Sequence, residues 1–134
     1  EKIRQISGRE PILDIPGAEP IGPKKMFDIL LAAPCTGNTL AKLACGITDN
    51  AVTMAVKSHL RGQRPVVLAI STNDALSGSA ANIGKLLNRR HYYFVPFRQD
   101  DPVKKPTSLV ADFSQIPQTL FAALEGRQLQ PLLA

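Results

Sequence analysis

The segment Thr36-Gly37-Asn38-Thr39 places hydroxyl and amide side chains around a glycine, one residue after the apolar run FDILLAAP at residues 27–34. A glycine allows a ligand to approach the backbone closely, and the N–H groups at a helix start can bind one. The same residue types are typical of a helix N-cap, in which Thr36 or Asn38 accepts a backbone hydrogen bond. The residues alone therefore predict either a ligand cradle or a capped helix, and the cap is the simpler interpretation.

A second polar loop, Ser71-Thr72-Asn73-Asp74, follows the apolar run RPVVLAIS at residues 64–71. Ligands of parallel α/β sheets bind outside the carboxyl ends of the strands, which is where this loop is expected to lie. The alternative interpretation is an Asx turn followed by a helix cap at Ser77 or Ser79.

A third loop, residues 96–108, begins at the proline of the apolar run YYFVPF (residues 92–97) and carries charges of both signs. Arg98, Lys104 and Lys105 could bind a dicarboxylate or a phosphate, because such ligands favour paired cationic side chains. A charged loop is otherwise simply solvated, so the pattern leaves both interpretations open.

The remaining side chains with catalytic potential have no partner in the sequence pattern. His59 falls inside a predicted helix and His91 precedes a predicted strand, so both are interpreted as surface or packing residues. Cys35 could act as a nucleophile, but no basic residue adjoins it, and burial is the usual outcome for a cysteine. The spacing of Cys35 and Cys45 fits neither a zinc site nor a secreted disulfide framework. We therefore expect no metal and a reduced, cytoplasmic protein.

Apolar runs and turn signals predict the elements that carry these loops. Residues 1–25 are broken by prolines and are interpreted as a connection to an α/β core at residues 26–134. Three buried strands are predicted, interleaved with helices in NTLAKLACG, AVTMAVKSHLRG, AANIGKLLNRR and DFSQIPQTLFAALEGRQ. This alternation predicts a single domain with a mainly parallel sheet and right-handed crossovers. Because three strands make a thin sheet, we expect further strands upstream or a partner at the open edge.

The composition of the 134 residues argues against two classes of partner. The net charge is +5, but the basic residues are scattered and only 5% of residues are aromatic, which is not typical of a nucleic-acid binder. No apolar stretch approaches the roughly 18 residues that span a bilayer, and the start has no signal-peptide core. Because the chain does not begin with Met, we expect it to be a fragment of a longer protein.

The stretch AAPCTGNTLAKLACGITDN resembles the Pro-Ala-Ser-Ala-Asn-Thr motif and its extension in the homo-oligomeric flavin-containing cysteine decarboxylase family. The stretch VVLAISTNDAL is similar to that family's next strand and to its Pro-x-Met-Asn-x-x-Met-Trp substrate clamp. The resemblance implies a flavodoxin-like (Rossmann-like) three-layer sandwich, FMN as the cofactor and a homo-oligomer. It also implies that the family's first strand and phosphate-binding loop belong upstream of this chain.

The resemblance assigns roles to individual residues. The set that would contact the flavin lies in the first loop: Pro34, Thr36, Gly37, Asn38 and Thr39. Asn38 would also reach the substrate, and Asn73 would be the clamp residue beside a substrate carboxylate, so these two are the catalytic candidates. Positive charge for a dicarboxylate substrate would come from Arg98, Lys104 and Lys105.

Within this superfamily, YYFVPFRQDDPVKKPTSLVA and LEGRQLQP resemble the flavoprotein-like subunit of a two-subunit oxidoreductase of spore-forming bacteria. The likeness extends over essentially the whole chain. It implies a nicotinamide-dependent partner protein, a pyridine dicarboxylate product and a location in the cytoplasm of the mother cell.

The chain also departs from the pattern of the decarboxylases. Their lid cysteine follows the third strand, where this chain has RQDDPVKKPTS, and Ser71, Thr72 and Leu76 replace other clamp positions. Decarboxylation of a cysteine-containing substrate is therefore not expected. Two alternatives stay open: a non-catalytic structural partner that has lost its flavin, and an FMN-dependent decarboxylase of another small acid.

Overall fold

The computed structural model describes residues 29–133; the expected connection at residues 1–25 and the first residues of the predicted first strand lie outside this range. The strands in this range are β1 (Leu30–Cys35), β2 (Val66–Thr72), β3 (Tyr92–Phe94), β4 (Phe97–Arg98) and β5 (Leu109–Ala111). The helices are α1 (Gly37–Cys45), α2 (Ala51–Arg61), α3 (Ala80–Leu87) and α4 (Ile116–Leu124), with a 3₁₀ turn at Phe113–Gln115 before α4. The predicted alternation of strands and helices is confirmed.

The parallel part of the sheet consists of β1, β2 and β3, with β2 in the middle. Val66 of β2 pairs with Leu30 of β1 and with Tyr92 of β3. The last residues of β2 pair with β5 in the antiparallel direction, where Ser71 faces Val110, and β5 pairs with β4 in the same way. The sheet is therefore mixed but mainly parallel along its central strand.

Alternate residues of β2 point into two separate cores. Val66, Leu68 and Ile70 belong to a cluster with α1, α2 and α3, whereas Val67 and Ala69 belong to a cluster with α4. All five side chains are fully buried, as expected for a strand that is covered on both faces. The structure is thus the three-layer α/β sandwich that the resemblance predicts.

The prediction of three strands was incomplete, because the described sheet has five strands. The strand predicted at residues 92–97 ends at Phe94, and Phe97–Arg98 forms a separate antiparallel strand. Pro34 does not end β1, which continues to Cys35 after a register shift that begins at Ala32. Strands of two or three residues carry little apolar periodicity, so their pairing depends on tertiary contacts that a local pattern does not show.

Local caps fix the connection between α1 and α2. Asn50 begins α2 with a capping box, in which its Oδ1 accepts from Thr53 N at 2.8 Å and its own N–H donates to Thr53 Oγ1 at 3.2 Å. Gly46 ends α1 with a φ of 73°, the left-handed conformation that glycine adopts without strain. Asparagine and glycine are residue types favoured at these two cap positions.

Arg89, just after α3, binds the C-terminal end of α1. Its Nη1 and Nη2 atoms donate to the carbonyl oxygens of Leu43 and Ala44 at 3.0 and 2.8 Å. Carbonyl groups in the last turn of a helix lack intrahelical donors and carry partial negative charge, so a guanidinium group satisfies both needs. This contact joins α1 to the end of α3 on one face of the sheet.

Replacing Arg89 by alanine should lower the free energy of unfolding by about 1–3 kcal/mol, because two charge-assisted hydrogen bonds are lost. Arg89 and Arg90 are both exposed, but within residues 29–133 the Arg90 side chain makes no hydrogen bond. Arg90→Ala is therefore the matched control and should change this free energy by less than about 0.5 kcal/mol. Urea unfolding followed by circular dichroism measures both variants. Equal stability of the two would contradict the role assigned to Arg89.

Candidate functional site

The turn between β1 and α1 holds the residues expected to contact a cofactor. Thr36 is the N-cap of α1, because its Oγ1 accepts from the backbone N–H of Thr39 at 3.3 Å. Asn38 is not the cap, and it is exposed in the first helical turn. The N–H groups of Gly37 and Asn38 have no acceptor inside the helix. The cap interpretation is confirmed, and the first turn still presents two N–H groups and an exposed amide.

Gly37 lies directly against the loop that follows β2. A Cβ atom at this position would lie 2.8 Å from Thr72 Oγ1 and 3.1 Å from both Asp74 Oδ1 and Ser79 Oγ. At these distances a side chain on residue 37 would displace its neighbours, so the close approach of the two loops requires a glycine. Packing within the chain itself is therefore one reason for a glycine in this turn.

The Asp74 carboxylate organises the loop after β2. Its Oδ1 accepts hydrogen bonds from Thr72 Oγ1 at 2.6 Å and from Ser79 Oγ at 2.8 Å. These bonds, with that of Thr72 the stronger cause, hold the pKa of Asp74 below its ordinary value, so the carboxylate is ionised at neutral pH. Ser79 was a predicted helix cap, but its hydroxyl binds Asp74 and makes no capping bond to α3.

Asp74 is the residue of this site that sequence reasoning missed. Its carboxylate lies beside Gly37, which is distant in the chain, and accepts hydrogen bonds from two hydroxyl groups of its own loop. The one local signal was the Asx-turn pattern at Asn73-Asp74, which predicts a turn but no contact across the sheet edge.

Asn73 is held by the start of β5. Its backbone oxygen accepts from Thr107 Oγ1 at 2.7 Å, and its side-chain Oδ1 accepts from Ser108 Oγ at 3.4 Å. The backbone N–H of Leu76 donates to the oxygen of Thr107 at 2.9 Å, which joins the two loops a second time. The structure therefore brings the second and third predicted loops together.

The predicted lysines of the third loop lie among carboxylates. Lys105 Nζ is 4.0 Å from Asp100 Oδ2, and the backbone N–H of Lys104 donates to Asp101 Oδ1 at 3.1 Å. A hydrogen bond from the Ser108 side chain is the main cause that lowers the pKa of Asp100. Among the described residues, no hydrogen bond or ion pair joins either lysine to the β1–α1 turn.

Arg98 is exposed on β4, and its charge acts on Asp112. The side chains of Ser114 and Gln115 donate to Asp112 and lower its pKa, and the positive charge of Arg98 adds to this effect. Residues 98–112 as a whole contain three cationic and three anionic side chains. The third loop and its flanking strands therefore bring no net positive charge to the sheet edge.

The other side chains with catalytic potential have structural positions. Cys35 is fully buried, and desolvation raises the pKa of its thiol to about 12, so it is not a nucleophile. His59 is fully buried in α2, in line with a packing role. The carbonyl oxygen of His91 accepts from Val66 N at 2.7 Å at the start of the β2–β3 pairing.

Residues 29–133 contain neither a cluster of metal-ligating side chains nor a helix that could span a membrane. No cluster of His, Cys, Asp and Glu side chains within residues 29–133 could hold a metal ion. No helix in this range is long and apolar enough to cross a membrane. Cys35 and Cys45 are both free thiols.

A cavity of about 200 Å³ lies beside the C-terminal end of α1. Its lining includes the apolar side chains of Leu43, Val56 and Leu60 and the cationic side chains of Lys57 and Arg89. None of the residues predicted to bind a cofactor or a substrate lines this cavity. The candidate site is therefore the exposed edge where the three polar loops follow the strands.

The fold and the polar loops at the strand ends agree with a match to a known family. The sequence profile of the Flavoprotein family matches residues 1–115, which is most of the 134-residue chain. The chain belongs to the flavoprotein family.

Particular relatives are similar over nearly the whole chain. The sequence is 49% identical over 133 residues to the B subunit of dipicolinate synthase from Bacillus subtilis (strain 168), covering 99% of this chain and 66% of that protein. The crystal structure of the dipicolinate synthase B subunit from Bacillus halodurans is similar with a TM-score of 0.92 and 46% identity, covering 99% of this chain and 68% of that chain. The FMN-dependent cysteine decarboxylase SpaF is similar with a TM-score of 0.61 and 26% identity, covering 91% and 70% of the two chains. This chain thus spans about two thirds of the length of the Bacillus relatives.

The variant Gly37→Ala should lower the free energy of unfolding by about 1–3 kcal/mol, because its Cβ would overlap Thr72 Oγ1. Gly84→Ala is the matched control, since nothing lies within 4 Å of a Cβ placed on Gly84 in α3. Alanine should stabilise that position by about 0.5–1 kcal/mol because of its higher helix propensity. Denaturant unfolding should give opposite signs for the two variants, and stabilisation by both would contradict the packing assigned to Gly37.

Proposed function

We propose that this chain is the flavoprotein-like B subunit of a dipicolinate synthase. The observation that carries the proposal is the 49% identity over 133 residues to the B subunit of the Bacillus subtilis enzyme. The TM-score of 0.92 to the Bacillus halodurans protein supports it. In this role the chain helps to convert dihydrodipicolinate to dipicolinate, pyridine-2,6-dicarboxylate, during sporulation.

The proposal includes a partner, because the relatives are themselves named as B subunits. The partner is the A subunit of dipicolinate synthase, a nicotinamide-dependent protein, and the complex acts in the cytoplasm of the mother cell of a sporulating bacterium. A homo-oligomer of this chain belongs to the same proposal through the resemblance to the homo-oligomeric decarboxylases.

The reaction removes two electrons and two protons from the dihydropyridine ring, so it requires an electron acceptor.

The residues at the start of α1 fit the edge of a flavin ring. The N–H groups of Gly37 and Asn38 and the exposed Asn38 amide can donate to ring carbonyl oxygens. Thr36 closes the turn behind them, and the exposed Pro34 at the end of β1 borders the same edge. The ionised Asp74 beside Gly37 makes this place unfavourable for the phosphate group of FMN. FMN bound with its ring at this turn would supply a two-electron acceptor.

Asn73 is the residue proposed to orient the substrate. Its exposed side chain carries one donor group, Nδ2, which can bind a substrate carboxylate. Arg98, Lys104 and Lys105 add positive charge in this proposal, but carboxylates of the same segment balance them. A dicarboxylate therefore needs further cationic groups, which we assign to the proposed partner subunit.

A second candidate function is a non-catalytic structural role, in which the chain has lost its flavin and stabilises the partner subunit. The observation that favours it is the packing at Gly37, where Thr72, Asp74 and Ser79 of the chain itself occupy the space beside the glycine. In this case the chain lengthens the half-life of the partner subunit without changing the turnover of each folded molecule.

The rate of dipicolinate formation by the purified partner subunit should rise by at least about tenfold when the full-length form of this chain is added. The ultraviolet absorbance of the pyridine product measures the rate at a fixed concentration of the partner subunit. Full activity of the partner subunit without this chain would contradict a catalytic role for the chain. Equal turnover with a longer half-life of the partner subunit would favour the stabilising function instead.

A further inference from the structure

The carboxylate of Asp74 is fixed at the N-terminal end of α1. Its Oδ1 receives hydrogen bonds from Thr72 and Ser79 at 2.6 and 2.8 Å, and it lies 3.1 Å from a Cβ placed on Gly37. The other oxygen, Oδ2, lies near Gly78, where an added Cβ would be 3.2 Å away, and the carboxylate is exposed to solvent. The carboxylate cannot turn away from α1 without losing both hydrogen bonds.

Asp74 keeps its negative charge in this position. Both donors are neutral hydroxyl groups, and none of the ion pairs within residues 29–133 includes Asp74. The two donors favour the ionised form, which lowers the pKa of the carboxylate. The first turn of α1 therefore has a fixed negative charge beside its own N–H groups.

We propose that Asp74 is a positioning residue that sets the reduction potential of a flavin held at the β1–α1 turn. This inference rests on the proposed function, in which residues 36–39 contact the flavin ring. Two-electron reduction with uptake of one proton gives the ring one additional negative charge, and a nearby carboxylate opposes that gain. Asp74 thereby lowers the affinity of the protein for the reduced flavin relative to the oxidised flavin.

A purely structural role of Asp74 has a different consequence. Loss of a residue that only braces the loop weakens the binding of oxidised and reduced flavin alike and leaves the potential unchanged. Loss of a charge changes the ratio of the two affinities. Asp74 is exposed to solvent, so water screens its charge, and at a separation of several ångströms one unit charge changes this ratio by about tenfold. For a two-electron couple a tenfold ratio equals about 30 mV.

The test is the midpoint potential of FMN bound to the full-length protein with its partner subunit, measured by reductive titration against a dye of known potential. Asp74→Asn keeps the shape of the side chain and removes its charge, so the potential should become more positive by about 30 mV. Asp74→Ser also removes the charge and should shift the potential in the same direction. Asp49→Asn is the control, because Asp49 pairs with Lys42 at 3.0 Å near the other end of α1, and its potential should equal that of the wild type.

The outcomes separate this inference from the proposed function. Bound FMN with an unchanged or more negative potential in both Asp74 variants would overturn the inference and leave the proposed function intact. Loss of FMN or of folding by both variants, with the control unaffected, would assign Asp74 a structural role and also overturn it. Wild-type protein that cannot be reconstituted with FMN would contradict the flavin-dependent form of the proposed function as well.

Discussion

Close packing of Gly37 against the side-chain oxygens of Thr72, Asp74 and Ser79 joins two loops at the carboxyl edge of the sheet. The contact is possible because β1 and β2 are adjacent parallel strands whose ends meet at that edge. It requires a glycine in one loop and, in the other, a carboxylate that gathers two hydroxyl groups. The start of α1, and with it the exposed Asn38, is positioned by this contact.

The same contact determines the electrostatics of the candidate site. The donor groups of the first turn of α1 lie beside the ionised Asp74, and the charges of residues 98–112 cancel. Such a surface favours the polar edge of an uncharged ring over a phosphate or a free dicarboxylate. This agrees with the proposed division of roles, in which the flavoprotein subunit holds a ring and its partner contributes cationic groups to the substrate.

Strong apolar periodicity made β1, β2 and the helices predictable, and local chemistry marked the caps at Asn50 and Gly46. Sequence patterns failed where residues distant in the chain decide the structure. β4 and β5 span only two and three residues and depend on their mutual pairing. In the candidate site, the positions of Asn38 and Asn73 could be predicted, because each follows the end of a predicted strand. Their roles in binding stay predictions. The position of Asp74 beside Gly37 could not be predicted, because these two residues are distant in the chain and meet only in the fold.

The affinity for FMN of an Asn38→Asp variant tests most directly whether the first turn of α1 faces a flavin. Fluorescence quenching of FMN by the full-length protein with the proposed partner subunit gives the Kd, and Asn88→Asp, at the exposed end of α3, is the control. The expected Kd of Asn38→Asp is about tenfold higher than that of the wild type, because an amide donor is lost and a second carboxylate joins Asp74. The control should bind FMN as the wild type does. An equal Kd for all three proteins would contradict the placement of a flavin at this turn.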